Sequence, residues 1–280
     1  MKKTDSTLKI PFTKMSGSGN DFIIIDNRKG IVKEKDRKEF VTRVCRRRIS
    51  VGADGLILIE PSEKADFRWR YFNADGGEVE MCGNGSRCVA RLAHLQGIAP
   101  ETMTFETGAG LIQAEVKGEQ VKVQLTEPKD LSLHLTIPLH GRQWKASFLN
   151  TGVPHVIYFV EETDSTDVER LGRETRYHPL FQPAGTNANF VTLVDPHHLK
   201  IRTYERGVEG ETLACGTGAV ASALDSGALG QTNSPVYLTT RGGMTLTVYF
   251  QWNGQRFSQV FLEGDARIIY SGEIWEEAWK

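Results

Sequence analysis

Short apolar or β-branched runs, separated by glycine and polar turn residues, make up most of the chain. Runs of about four to eight such residues bounded by turn residues predict β-strands. Two longer stretches predict hairpins, one turning at Gly118 and the other at the dipeptide Asn253-Gly254. The predicted single strands are "DFIIID" (21–26), "GLILIE" (55–60), "FRWRYF" (67–72), "HVIYFV" (155–160), "NFVTLV" (189–194) and "TLTVYFQW" (245–252).

Helical periodicity is confined to a few segments. Between residues 34 and 48 the apolar residues Phe40, Val41 and Val44 recur at helical spacing, together with Cys45. This pattern predicts a helix that turns Cys45 toward the core and carries three arginines at its C-terminal end, where cations interact favourably with the helix dipole.

Two further helices are predicted to begin directly after Cys82 and Cys215. The first shows Cys88 on an apolar face that continues to Leu95, and it ends at Gly97; the second ends at one of the glycines that follow it. Cys88 is therefore interpreted as a small packing residue. Cys82 precedes its helix, so packing does not explain it.

Charge and composition narrow the class of protein. The 34 Lys and Arg nearly balance the 35 Asp and Glu, so no basic excess favours nucleic acid or an anionic membrane as a partner. The N-terminus lacks the apolar core of a signal peptide, and no run approaches the length of a membrane-spanning helix. We expect a cytoplasmic protein that acts on a small polar molecule.

The 4 cysteines are too sparse for a disulfide framework, which predicts reduced thiols. Five residues separate Cys82 from Cys88, unlike the shorter spacing of structural zinc ligands. His197 and His198 are adjacent, and adjacent side chains rarely point the same way. No metal site is expected.

An internal repeat links the two unexplained cysteines. "GEVEMCGNG" (77–85) aligns without a gap on "GETLACGTG" (210–218), and "TGAG" follows Cys82 at the same distance as "TRGG" follows Cys215. Upstream, "GSGNDFIIID" (17–26) is aligned with "GTNANFVTLVD" (185–195). One half of the chain is thus predicted to be a diverged copy of the other, with Cys82 facing Cys215 across a cleft.

The repeated motif predicts acid–base chemistry on a carbon next to a carboxylate. A cysteine before a helix meets unpaired N–H groups and the positive end of the dipole, which favour the thiolate. The glycines let the backbone approach a ligand, and the same N–H groups bind a small carboxylate. One thiolate could remove an α-proton from one face and the opposite thiol could return one to the other face. This scheme demands no cofactor.

Seven motifs follow one another along the chain: "GSGNDFIIID", "VGADGLILIE", "FNADGGEVEMCGNGSRC", "TGVPHVI", "GTNANFV", "YERGVEGETLACGTGA" and "GDARIIYSG". In this order they resemble the motifs of the cofactor-independent diaminopimelate epimerases, a family of amino-acid epimerases.

The resemblance implies an α/β (α+β) fold of two pseudo-symmetric domains, each a β-barrel-like sheet around a central helix, with the active site in the cleft. The implied domains are residues 1–126 with 264–280, and 127–263. Homodimers and cytoplasmic lysine and peptidoglycan precursor biosynthesis are typical of the family.

The same resemblance implies roles for individual residues. Cys82 and Cys215 match the two catalytic cysteines, while His155 and Glu205 match positions that tune their pKa. No cofactor or metal is implied. The positions that match substrate contacts are Asn20, Asn73, Gly83, Asn84, Asn187, Glu205, Arg206, Gly216 and Thr217.

Simpler explanations exist for some of these residues taken singly. Asn20 could serve turn geometry alone, Glu205 and Arg206 could form a solvated ion pair, and His155 could be an ordinary strand-end histidine. Two departures from the family pattern, Ser16 for a histidine and Val153 for an asparagine, bear on substrate range. Two alternatives to diaminopimelate epimerisation stay open. One is the same two-thiol chemistry on another amino acid, and the other is a non-enzymatic thiol protein that binds metal or senses oxidants.

Overall fold

The computed structural model describes residues 9–280, so the N-terminal segment judged to lack a signal peptide lies largely outside the described residues. Among the residues described, no helix is both long and apolar enough to cross a membrane. The helices are α1 (Arg37–Val44), α2 (Gly83–Leu95), α3 (Val168–Arg176) and α4 (Gly216–Ala228), with single 3-10 turns at Glu34–Asp36, Pro179–Phe181 and Glu276–Ala278. The strands are β1 (Lys9–Gly17), β2 (Asn20–Asp26), β3 (Gly55–Glu60), β4 (Phe67–Asn73), β5 (Glu78–Val79), β6 (Thr102–Thr107), β7 (Gly110–Lys117), β8 (Gln120–Gln124), β9 (Lys129–Leu139), β10 (Arg142–Asn150), β11 (Pro154–Phe159), β12 (Asn187–Asp195), β13 (His198–Glu205), β14 (Gly210–Thr212), β15 (Val236–Thr239), β16 (Thr245–Trp252), β17 (Phe257–Asp265) and β18 (Arg267–Trp275).

The chain forms two compact units, one of Met1–Val123 with Asp265–Lys280 and one of Gln124–Gly264. In the first unit the strands pair in the order β18-β1-β2-β3-β4-β6-β7-β8, with β5 added on β4. The β2–β3 and β4–β6 pairs are parallel and the others are antiparallel. Helix α2 contacts β1, β2, β3 and β7, so the sheet curves around it.

Alternate side chains of the central strands of this unit pack on opposite faces. Ile23 and Leu56 join the cluster that α1 covers, whereas Phe22 and Ile57 approach Gly85 at the start of α2. A strand buried on both faces is apolar along its whole length, which accounts for the continuous runs "DFIIID" and "GLILIE".

The second unit repeats this arrangement with its own elements. Its strands pair in the order β9-β10-β11-β12-β13-β15-β16-β17, with β14 on β13, and again only β11–β12 and β13–β15 are parallel among the pairs described. Helix α4 contacts β10, β11, β12, β13, β15 and β16, and α3 covers the other face of β12 and β13. The predicted α/β fold, with a sheet around a central helix in each unit, is confirmed.

The strand pairing contradicts one part of the predicted internal repeat, the match of residues 17–26 with residues 185–195. By pairing partner and direction, β2 corresponds to β11 and β3 corresponds to β12. The sequence alignment of residues 17–26 on 185–195 instead matched β2 with β12, so it was wrong by one strand. Both β2 and β12 contain asparagine followed by an apolar run, and a composition shared by all buried parallel strands does not distinguish neighbours.

The helices differ from prediction at their ends. Helix α1 ends at Val44, with Cys45 as its C-cap, so the arginines after it do not belong to a helix. The Leu95 side chain is exposed instead of continuing the apolar face of α2, whereas Cys88 is fully buried as expected. The sequence interpretation did not include α3, whose stretch "VERLGRETR" places only two apolar residues among charges.

A carboxyl group is buried inside the core of the second unit. Asp225 on α4 is fully buried, and among the described residues neither of its carboxylate oxygens has a hydrogen-bond partner. Burial raises the pKa of this carboxyl from an ordinary 3.8 to about 7, and the nearby Ser147 hydroxyl opposes the shift in part. The native protein therefore holds Asp225 mostly protonated in slightly acidic solution.

We expect Asp225→Asn to change the pH dependence of stability. Because the native pKa lies above the unfolded one, the wild type loses stability as pH rises from about 4 to about 7, at about 1.4 kcal/mol per pH unit. The variant lacks this loss, so its stability relative to wild type should rise through that window and level off above it. Urea denaturation at several pH values measures the difference. The exposed Asp130→Asn is the control, and parallel curves for wild type and Asp225→Asn would contradict the prediction.

Candidate active site

Cys82 is the N-cap residue of α2. Its backbone is extended (φ −148°), and its Sγ accepts a hydrogen bond from the Gly85 N–H at 3.5 Å. An added Cβ at Gly85 would lie 3.2 Å from both Ile57 Cδ1 and Trp69 Cζ3, so glycine lets the first turn of the helix pack closely on the sheet. The motif thus places a thiol, partly accessible to solvent, at the positive end of a buried helix.

Opposing effects act on the Cys82 thiol. Burial is the largest and raises its pKa, while the backbone N–H groups of Gly85 and Asn84 and the positive charge of Arg87 lower it. Displacement of water by a ligand strengthens every electrostatic interaction of this kind. The surroundings of Cys82 therefore contain the groups that a thiolate needs.

Two of the predicted substrate-contacting residues are joined beside Cys82. Asn84 Nδ2 donates to Asn20 Oδ1 at 2.6 Å, and Asn20 Nδ2 donates to Asp54 Oδ2 at 3.1 Å. Asn84 is a first-turn residue of α2 and Asn20 begins β2, so the bond ties the helix start to the sheet. Gly83 is the first residue of the same helix.

Asn73 lies at the exposed end of β4, and its Oδ1 accepts a hydrogen bond from the Tyr71 hydroxyl at 2.9 Å. Burial raises the pKa of Tyr71, and the negative charge of a Cys82 thiolate raises it further. Tyr71 therefore stays protonated and keeps the Asn73 amide oriented. The structure places Asn73 in the same unit as Cys82, two strands away from Asn20 in the pairing order.

Cys215 caps α4 in the same manner. Its Sγ accepts from the Gly218 N–H at 3.4 Å and lies 3.5 Å from the hydroxyl oxygen of Thr217. A Cβ at Gly218 would overlap Asn189 Oδ1, so the helix start packs against that amide. The carbonyl of Thr217 accepts a hydrogen bond from the Thr151 hydroxyl at 3.1 Å, and Gly216 is the first residue of the helix.

The electrostatic surroundings of Cys215 differ from those of Cys82. Burial raises the pKa of Cys215 to about 12, and the negative charge of Glu205 adds to this, while Thr217 and the Gly218 N–H oppose it. Burial also raises the pKa of Glu205, whose Oε1 accepts a hydrogen bond from the Thr212 hydroxyl at 2.5 Å. The Glu205 carboxyl group thus lies beside the Cys215 thiol, and its presence favours the protonated form of that thiol.

Asn187 and Arg206 meet at the ends of β12 and β13. Asn187 Oδ1 accepts from the Arg206 backbone N–H at 2.8 Å, and its Nδ2 donates to the Pro154 carbonyl at 2.8 Å. The Arg206 guanidinium donates to the Ala184 carbonyl at 3.0 Å, and none of the described ion pairs involves it. Glu205 and Arg206 do not form the solvated pair that the simplest interpretation suggested.

His155 is fully buried on β11, where it pairs with Asn187 on β12. Its Nδ1 lies 3.1 Å from Asn189 Nδ2, which also donates to the Val156 carbonyl, while Asn189 Oδ1 accepts from the Thr203 hydroxyl. The amide must therefore present N–H to the ring, so Nδ1 accepts and the proton resides on Nε2. Burial lowers the pKa of His155 to about 3, which leaves the ring neutral.

The two departures from the family pattern occupy ordinary positions. Ser16 is a half-buried residue of β1 that pairs with Asp21, and Val153 precedes β11, where its carbonyl accepts from the Thr151 N–H at 3.1 Å. Within residues 9–280, no group of three or more His, Cys, Asp or Glu side chains could hold a metal ion.

Sequence reasoning missed several residues that hold these groups in place, chiefly Asp54, Arg87 and Asn189. Arg87 gave little signal, because it lies off the apolar face of Cys88, Val89 and Leu92 and is buried only because the sheet surrounds the start of α2. Asn189 stands in "GTNANF" two residues after Asn187, so period-two alternation could have placed both on one face of the strand. Asp54 precedes its strand, where an acidic residue has a common turn role and gives no signal.

Comparison with known sequences decides the family. The sequence model of diaminopimelate epimerases matches residues 12–130 and 147–269. The chain belongs to the diaminopimelate epimerase family. A diaminopimelate epimerase of Aquifex aeolicus is 46% identical over 277 residues, covering 95% of this chain and 98% of the relative. One from Archaeoglobus fulgidus is 46% identical over 250 residues, covering 85% and 88%. The resemblance inferred from the motifs is confirmed, and the protein is an isomerase of this family.

Solved structures show the same fold in proteins outside the diaminopimelate epimerases. A phenazine biosynthesis protein of the PhzF family from Bacillus anthracis has a TM-score of 0.72 at 18% identity, covering 95% of this chain and 99% of that one. A hydroxyproline epimerase from Agrobacterium vitis, with bound trans-4-OH-L-proline, has a TM-score of 0.67 at 16% identity, covering 99% and 94%. The fold of the family is thus shared more widely than its sequence.

We expect the His155 ring to remain neutral, with its proton on Nε2, throughout the range from about pH 5 to pH 8, because its lowered pKa lies below this range. Long-range nitrogen–proton NMR of the histidine-labelled protein measures both the tautomer and the titration. Asn189→Leu removes the N–H that faces Nδ1, so the preference for the Nε2 tautomer should weaken. A ring that titrates with a midpoint between pH 6 and 7 in the wild type, the range of an ordinary histidine, would contradict the assignment.

Proposed function

We propose that the protein converts LL-2,6-diaminopimelate to the meso form, with Cys82 and Cys215 as the two acid–base groups. The observation that carries this proposal is the duplicated helix start, in which each unit holds a cysteine sulfur against the first N–H groups of its central helix. Family membership supports the substrate and the isomerase activity. The chemistry of the two cysteines is our inference from the residues around them.

The reaction begins with the α-carboxylate bound by backbone N–H groups at the helix starts, which include Gly83, Asn84, Gly216 and Thr217. One sulfur, as thiolate, removes the α-proton, and charge builds up on the carboxylate oxygens, where the N–H donors stabilise it. The other sulfur, as thiol, delivers a proton to the opposite face of the carbon. The configuration inverts, and the protonation states of the two sulfurs are exchanged.

The distal amino-acid head of the substrate needs its own contacts. A planar guanidinium suits a carboxylate, and Arg206 has nitrogen atoms that no described ion pair uses. We assign the ammonium to Glu205 and the amides of Asn20, Asn73 and Asn187, because carboxylate and amide oxygens accept its hydrogens. We infer that neutral His155 acts indirectly, by holding Asn189, against which Gly218 at the start of α4 packs.

A second candidate is the same chemistry on another amino acid. Val153 stands where the family often has an asparagine, and an apolar side chain there supplies no hydrogen bond to a distal polar group. Loss of a polar contact weakens discrimination between substrates that differ in that group. Competition among histidine, glutamate, proline and diaminopimelate would distinguish a narrow site from a broad one.

We propose further that the protein works as a cytoplasmic homodimer in lysine and peptidoglycan precursor biosynthesis. In support of a dimer, β18 pairs with β1 alone among the strand pairs described, and it exposes Ile268, Ile269 and Tyr270. A strand with exposed apolar side chains and an unpaired edge favours association with a second copy. Sedimentation velocity tests this, and a monomer at micromolar concentration would refute it.

We expect the purified protein, incubated with LL-diaminopimelate in deuterated water, to introduce deuterium at the α-carbon as that centre inverts. The returning proton comes from a thiol that exchanges with solvent, so product molecules should carry one deuterium at the inverted centre. Mass spectrometry with chiral separation of the isomers measures both events, and Cys82→Ala serves as the blank. Isomerisation without isotope incorporation would contradict proton transfer, and the absence of both would refute the activity.

Removal of either thiol should abolish inversion, because each direction of reaction needs one base and one acid. Cys82→Ala and Cys215→Ala should each lose about 10²–10⁴-fold or more in kcat. Cys88→Ala is the matched control: that cysteine is on the same helix as Cys82 but fully buried, so it should cost about 1 kcal/mol of stability and little activity. Near-normal turnover in either of the first two variants would exclude the two-base scheme.

A further inference from the structure

Arg87 is an unusual residue for the interior of a protein. It is fully buried on α2, one turn after the Cys82 loop. Its guanidinium donates to the Asn84 carboxamide oxygen and the Ser18 hydroxyl, both at 2.7 Å, and more weakly to the Asp265 carbonyl at 3.3 Å and the Gly83 carbonyl at 3.5 Å. Four contacts thus fix one side chain that never reaches solvent.

No described salt bridge neutralises this cation. Asp265 contacts Arg87 through its backbone carbonyl, while its carboxylate accepts from Ser18 and pairs with Arg267. Burying a charge without a counter-ion is costly unless hydrogen bonds compensate for the lost water. A helix that needed only packing at this position would carry an apolar residue, as α4 does at Val220, the position that corresponds to Arg87 in the repeat.

Arg87, Asn84, Asn20 and Asp54 form a hydrogen-bond relay, in which each side chain donates to the next. Arg87 donates to Asn84, Asn84 donates to Asn20 at 2.6 Å, and Asn20 donates to Asp54 at 3.1 Å. A guanidinium can only donate and a carboxylate can only accept, so the two ends dictate how both amides between them are oriented. Each amide keeps a second N–H that none of the described hydrogen bonds uses.

We propose that Arg87 and Asp54 are positioning residues, which hold the Asn84 and Asn20 amides in the single orientation that directs N–H groups at substrate. The inference rests on the proposed function, because it takes these asparagines as substrate contacts. If either end were removed, an amide could turn over and present its oxygen where a donor is required. Arg87 also adds positive charge near Cys82, an effect that Val220 cannot provide for Cys215.

Two variants of Arg87 separate orientation from charge. Arg87→Met removes both the hydrogen bonds and the positive charge. The pH midpoint for alkylation of Cys82 by iodoacetamide should therefore rise by about one unit. KM should rise by about tenfold, as for one lost charge-assisted hydrogen bond. Arg87→Lys keeps the cation but cannot reproduce the forked contacts. It should show the raised KM with an alkylation profile close to that of wild type. Peptide mass spectrometry assigns the label to Cys82 and not to Cys215.

Asp54→Ala tests the other end of the relay without altering Arg87. It should raise KM to a similar extent. Because the negative charge of Asp54 raises the pKa of Cys82, its loss should move the alkylation profile toward lower pH, opposite to the shift expected for Arg87→Met. Arg91→Met is the control: Arg91 lies one helical turn beyond Arg87 and donates to the Ala266 carbonyl, so it shares the helix and the C-terminal segment but not the relay. It should change neither quantity. A purely structural role for Arg87 would lower the melting temperature of its variants without moving KM or the alkylation profile.

Folded Arg87→Met protein with wild-type KM and a wild-type alkylation profile would overturn the proposal. If that variant does not fold, unchanged KM in Asp54→Ala overturns it instead. A wild type that alkylates as expected but turns over no diaminopimelate would refute the proposed function. The effect of Arg87→Met on the Cys82 profile would then still decide whether Arg87 acts on that cysteine.

Discussion

A helix buried inside a sheet must find partners for the first N–H groups of its backbone. In both units the residue that supplies one is a cysteine, whose sulfur lies 3.5 Å from Gly85 N and 3.4 Å from Gly218 N. Sulfur is a weak acceptor compared with the side-chain oxygens that usually cap helices. The helix starts therefore remain available to an anion, and the same N–H groups that would bind it also stabilise a thiolate. The chemistry that we propose therefore depends on a helix start whose N–H groups are incompletely satisfied.

The shared motif has different electrostatic surroundings in its two copies. Cys82 lies near a buried cation, whereas Cys215 lies beside Glu205, which raises its pKa together with burial. The inversion that we propose needs one sulfur that is deprotonated and one that is not. Sequence divergence between the copies at Arg87 and Val220 thus favours the thiolate form at Cys82 more than at Cys215.

Sequence alone predicted much of this fold, since strands buried on both faces and helices capped by Cys-Gly-x-Gly leave strong local signals. The six single strands, both hairpins and the starts of α2 and α4 are where their patterns placed them. The error in aligning β2 with β12 arose because strand identity depends on pairing partners that are distant in the chain. Asp54 and Asn189 escaped notice for a related reason, because their importance lies in which side chains they orient, and spacing along the chain does not record orientation.

The last segment of the chain has a consequence for biosynthesis. Asp265 and β18 belong to the unit that otherwise ends at Val123, and they supply contacts to Ser18, Arg87 and β1. During synthesis the strands of the second unit are complete before β18 is made, so the first unit can complete its sheet only after the second has been synthesised. A chain that lacked Asp265 and β18 would expose the β1 edge and leave Arg87 without the Asp265 carbonyl. Premature termination before β18 therefore yields a protein whose first unit is incompletely folded, and not merely a slightly shorter chain.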